Sequence, residues 1–198
     1  MNTDNQRDPH RIVCVGDLLV ARKTGVTESL ERLCRIAQPE SPWKFWHQGE
    51  ASTTAESLRE EAIWRALGLG AGRLILSLGT PEILASGFAP DRTASQIAAC
   101  LDLLADKGPA ELWLLLPVPA FWPLAKRPLV DDLRARLVSP PGRWEVLDAA
   151  PRAEQFLSAQ SRHPDLAVAL VEDSPSGPVP TGTGALLVAT EIHRHWSP

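Results

Sequence analysis

Leu112-Trp113-Leu114-Leu115-Leu116, between Glu111 and Pro117, is a nearly continuous apolar run. A strand that is apolar on both faces has to be covered on both, which is the mark of a parallel sheet held between helical layers. Leu74-Ile75-Leu76 repeats the pattern. Working outward, five short segments read as buried strands: Arg11–Gly16, Trp43–Gln48, Arg73–Leu78, Glu111–Leu116 and Trp144–Leu147. Helical patterns lie between and after them. In Thr27–Ala37 the residues Leu30, Leu33, Cys34 and Ala37 recur at helical spacing, with Thr27 placed to cap. Thr54–Leu67 has an apolar face and stops at Gly68. Asp91 opens a helix with Ile97, Cys100, Leu101 and Leu104 on its core side, a weaker pattern covers 130–138, and the last helix spans Gly184–Trp196.

Strands alternating with helices imply βαβ crossovers. The expected fold is a three-layer α/β/α domain with a five-stranded parallel sheet, flavodoxin-like in its order. Residues 1–10 are expected to be a flexible lead and 11–198 a single domain. In such sheets ligands bind outside the carboxyl ends of the strands, near the point where strand order reverses. The loops after the strands therefore carry the functional information.

Gly16-Asp17-Leu18-Leu19 follows the first strand and Gly49-Glu50-Ala51-Ser52-Thr53-Thr54 the second. Gly79-Thr80-Pro81-Glu82 follows the third, and 177–184 (GPVPTGTG) leads into the final helix. In order and placement these blocks resemble the SGNH (GDSL-type) hydrolases over residues 11–196. That family carries GDS after strand one, a glycine after strand two, G-x-N-D after strand three and D-x-x-H-P before its last helix. The resemblance implies the SGNH-hydrolase-like form of the fold. It also locates the departures, which fall on the reactive positions. Leu18 stands for the nucleophilic serine, Pro81 for the asparagine, Glu82 for the aspartate beside it, Ser176 for the catalytic aspartate and Val179 for the histidine. Gly16, Asp17, Gly49 and Gly79 keep the pattern.

Acyl transfer needs an attacking hydroxyl, a base to take its proton, and donors for the developing oxyanion. Leucine has no lone pair, valine accepts no proton, and proline has neither a side-chain amide nor a backbone N–H. In a serine protease the loss of nucleophile or base alone costs about 10⁶ in kcat. No catalytic residue is therefore expected at the family positions. Three rescue candidates stand against that reading. His163-Pro164 reproduces the H-P pair about twenty residues before the final helix, and its plainer role is a turn before proline. Ser52 is a hydroxyl in the loop after strand two, where capping is the plainer role. Glu82 is a carboxylate that a raised pKa makes a base, or simply a helix-start acid after proline.

Asp17, Leu18, Gly49 and Thr80 form the expected ligand pocket. Trp43, Trp46, Phe121 and Trp122 are candidates for an aromatic rim, although large aromatics near loop ends are more often packing. The stiff apolar loop Pro117–Pro123, with Phe121 and Trp122, is the expected partner surface if it is exposed.

Twenty basic residues stand against 24 acidic ones, a net charge of −4. With no block of like charge, there is no electrostatic reason to expect nucleic acid. No apolar run approaches the roughly 20 residues needed to cross a bilayer, so no membrane segment is expected. Cys14, Cys34 and Cys100 have no metal-ligand spacing and read as buried free thiols in a reducing compartment, and no metal or cofactor is expected. The expectation is a cytoplasmic, catalytically inactive SGNH-like domain that binds a protein partner or a small ligand. The alternatives are an esterase with relocated groups and a flavodoxin-like ligand binder.

Overall fold

The structure, a computed structural model, describes residues 8–17, 25–48, 50, 52–58, 63, 65, 68–107, 111–137, 144–161, 169–174 and 177–196. Five strands form one sheet: β1 (Asp8–Gly16), β2 (Lys44–Gln48), β3 (Ala71–Ser77), β4 (Glu111–Leu115) and β5 (Glu145–Leu147). Their order is β2-β1-β3-β4-β5 and every pairing is parallel. Six helices accompany them among the described residues: α1 (Val26–Ala37), the short α2 (Thr80–Leu84), α3 (Pro90–Lys107), α4 (Arg127–Leu137), α5 (Ala150–Ser161) and α6 (Gly182–Trp196). The predicted helix over 54–67 lies partly outside the described residues.

The crossover from β1 to β2 moves one way along the sheet and that from β3 to β4 moves the other. Right-handed crossovers in opposite directions put their helices on opposite faces. The packing agrees: α1 lies on α6, and α3 lies on α4. Leu74, Ile75, Leu76 and Leu114 are fully buried between these layers, as their apolar runs require. Ile97, Leu101 and Leu104 of α3 are buried against them. All three cysteines are free and buried. Burial pushes the Cys14 thiol up to about 12 and the Cys34 thiol up to about 11, so neither is a ready nucleophile. Among the described residues no helix is long and apolar enough to cross a membrane.

The sheet starts earlier than expected. Asp8, Pro9 and His10, placed in the flexible lead by the sequence, belong to β1. Asp8 donates its N–H to the Gly70 carbonyl at 3.3 Å, and its carboxylate lies 3.6 Å from Lys44 Nζ. Polar residues at a strand end gain these partners only once the neighbouring strand is in place.

Two elements had no clear sequence signal. Helix α5 buries only small residues, Ala150 and Ala153, and so lacks a strong apolar stripe. β6 (Val171–Ser174) and β7 (Gly177–Pro180) form an antiparallel hairpin, although Pro178 and Pro180 argue against a strand.

The switch point falls between β1 and β3, the central pair. Gly16 ends β1 at φ +134°, and a Cβ there would lie 1.7 Å from the Ser77 carbonyl oxygen. The approach allows Asp17 N–H to donate to that oxygen at 2.8 Å. Gly16→Ala is expected to lower stability by at least about 3 kcal/mol, read as a lower urea midpoint with an unchanged slope.

Candidate functional site

At the carboxyl end of β1, Asp17 is 1% exposed. Its Oδ1 accepts from the Ser77 hydroxyl at 3.0 Å and its Oδ2 from the Thr80 backbone N–H at 2.9 Å. A buried carboxylate is stable only when its lone pairs are met by donors. Here the donors come from the loop after β3, so one side chain locks the mouths of the two central strands together. Ser77, which the sequence reading passed over, supplies one of them. Its signal was a single hydroxyl inside the run Leu74-Ile75-Leu76-Ser77-Leu78.

Gly79 turns the chain out of β3 at φ +119°, with Leu133 and Pro117 close to where a Cβ would be. Helix α2 then starts with Thr80, Pro81 and Glu82. Glu82 Oε1 accepts from the Ala55 N–H at 2.7 Å, tying the loop after β2 to α2. Burial raises the Glu82 pKa, and the nearby Asp17 charge raises it further. The backbone N–H groups of Ala55, Glu82 and Gly79 act in the opposite sense, stabilising the charged form.

Two backbone donors at this edge thus face inward: Thr80 N–H goes to Asp17 and Ala55 N–H to Glu82, while Pro81 has none. Acyl-transfer chemistry needs such donors aimed at the ligand.

The loop after β2 is held by its own hydroxyls. Glu50 N–H donates to Thr53 Oγ1 at 2.8 Å, and Ser57 N–H donates to Thr54 Oγ1 at 2.9 Å. Ser52 sits exposed in the turn. The hairpin reaches the same edge, with β7 packed on α2 and on the 3-10 turn Pro119–Phe121. Val179, which the sequence resemblance sets at the family's histidine, is a buried aliphatic side chain, 3% exposed. Asp17, Thr80, Pro81, Glu82 and Val179 therefore gather at one edge of the sheet. Leu18, Gly49, Ser176 and His163 lie outside the described residues.

The aromatic expectations need correction. Phe121 and Trp122 are 3% and 4% exposed, so they are core and not a partner surface. Helix α4 explains why an apolar proline loop turns inward. Arg127 Nε donates to the Trp122 carbonyl at 3.1 Å and Arg134 to that of Pro117 at 2.9 Å, so the loop's carbonyls are met while its side chains pack. Trp43 precedes β2 and so lies at the opposite, amino edge. It cannot share a rim with Phe121 and Trp122.

No family model and no curated relative matches the chain. Solved structures do match. An acetylxylan esterase from Geobacillus stearothermophilus is 12% identical with a TM-score of 0.74, covering 93% of this chain and 92% of that one. An α/β hydrolase enzyme from the Lake Arreo metagenome is 16% identical with a TM-score of 0.73, covering 93% of each chain. A protein of the G-D-S-L lipolytic family from Desulfitobacterium hafniense is 15% identical with a TM-score of 0.68, covering 93% of this chain and 98% of that one. At these identities the likeness is one of fold. The fold is that of the SGNH/GDSL-type hydrolases.

Two measurements test the site. Trp122→Ala is expected to cost about 3–5 kcal/mol, as truncation of a buried aromatic does, and would show as a large drop in urea midpoint. Glu82 has a folded pKa raised above its unfolded value, so the native state holds its proton longer. Its contribution therefore falls as pH rises from the ordinary glutamate range through the raised one. Glu82→Gln keeps an acceptor for Ala55 and removes the charge. The variant is expected to melt higher than the parent at pH 7 and to show a flatter stability profile above the ordinary glutamate range.

Proposed function

We propose that this chain is an SGNH-like domain that has kept the frame of the fold without hydrolysis and serves as a binding or accessory domain for a protein partner or small ligand. The observation that carries the reading is the shortage of donors at the start of α2. A tetrahedral oxyanion forming near Pro81 finds no N–H on Pro81 itself, and that of Thr80 is committed to the Asp17 carboxylate. Val179, buried at the position matched to the base, supports the same reading.

The competing reading is an ester hydrolase with relocated groups, supported by the fold likeness to an acetylxylan esterase over 93% of the chain. It asks Glu82 to act as base. Its Oε1 already accepts from Ala55, and that bond holds the neighbouring loop.

Purified protein incubated with p-nitrophenyl acetate and with a serine-directed fluorophosphonate separates the two. No covalent label and no turnover above a heat-denatured control is the expected result. A stoichiometric label or saturable turnover lost in Ser52→Ala or Glu82→Gln would establish the hydrolytic reading. Leu18→Ser alone is expected to gain no esterase activity, since it restores neither base nor oxyanion donors.

A further inference from the structure

At the amino edge of the sheet, away from the site above, a recess of about 220 Å³ lies between the ends of α1 and α6 and the starts of β1, β2 and β3. Arg73 of β3 lines it. The guanidinium carbon is 5.3 Å from the Trp196 ring centroid and 5.9 Å from that of Trp43. Its Nε donates to Glu111 Oε2 at 2.8 Å, a cross-strand pair between β3 and β4. Among the described residues no protein acceptor meets either Nη group, neither is a buried orphan, and the side chain is 20% exposed.

An arginine held at Nε and flanked by two indoles is restrained in advance, which leaves its end-on Nη fork for a ligand in the recess it lines. That fork matches a carboxylate bidentately, and less entropy is lost when it binds than with a free side chain. His10 stands edge-on to Trp43 at 5.2 Å, and His193 also lines the recess.

The surrounding charges leave the guanidinium dominant. Glu111 offsets part of its charge on the Nε side. Asp8 is engaged by His10, Arg11 and Lys44 at 3.6–3.9 Å. The C-terminal dipoles of α1 and α6 favour a cation here and fade within a turn, whereas a bound anion would touch the guanidinium directly. The volume is below the roughly 300–1,000 Å³ typical of drug-sized ligands, which restricts the occupant to about one ring.

We propose that this recess binds a small planar carboxylate, with its carboxylate on the Arg73 Nη pair and its ring against Trp43 and Trp196. The proposal is independent of what the carboxyl edge does. Full-length protein labelled with nitrogen-15 is titrated with benzoate, benzamide and acetate while the indole and backbone amide resonances are followed. Benzoate is expected to shift the Trp43 and Trp196 indole signals saturably. Benzamide, which lacks the charge, and acetate, which lacks the ring, are expected to bind at least about tenfold more weakly. Arg73→Gln is expected to abolish the response. If Arg73→Gln fails to fold, the comparison of benzoate with benzamide on the parent protein still decides. No saturable shift up to about 10 mM benzoate, equal responses to benzoate and benzamide, or shifts confined to Thr80 and Glu82 at the other edge would each overturn the proposal.

Discussion

One buried carboxylate organises the carboxyl edge of this protein. Asp17 sits at the end of β1, 1% exposed, and accepts from the Ser77 hydroxyl and the Thr80 N–H across the switch point. A charge in so dry a position is tolerable only while those donors stay in place. The loops after β1 and β3 are consequently not independent. Gly16 makes the arrangement possible, because only a residue without a Cβ lets β1 approach the Ser77 carbonyl so closely.

The same arrangement bears on chemistry. Hydrolysis by this fold requires donors that point out of the sheet edge toward a developing charge. Here Asp17 and Glu82 draw the Thr80 and Ala55 N–H groups inward, and proline removes one more. Glu82 is held in its place by Ala55 although burial and the Asp17 charge oppose its ionisation. The frame that the fold shares with esterases and the polarity of its edge are therefore separate properties, and only the first follows from the fold.

The amino edge has the opposite character. The Arg73 guanidinium lies close to two indole rings and lines a recess, and α1 and α6 end beside it. Cations are favoured at helix C-termini, and so the charge sits where the backbone field stabilises it. The two ends of the sheet thus differ: a buried carboxylate that has drawn donors to itself at one, an arginine lining a recess at the other.

The fold was legible in the chain because its signals are local. Runs such as Leu74-Ile75-Leu76 and Leu112–Leu116 alternate with helical periodicity, and a parallel α/β sheet is the arrangement that buries both. That leucine at 18 has no lone pair to attack with and valine at 179 accepts no proton is likewise plain from residue chemistry alone. What could not be read depends on partners distant in sequence. The inward turn of Phe121 and Trp122 depends on arginines of α4 that meet the loop carbonyls, and Ser77 gains a role only when Asp17 lies beside it, sixty positions away. Trp43, Arg73 and Trp196 come together only when three separate chain segments meet at one edge. Burial and donor direction are properties of such meetings, so side-chain identity sets which chemistry is possible and tertiary packing sets where it faces.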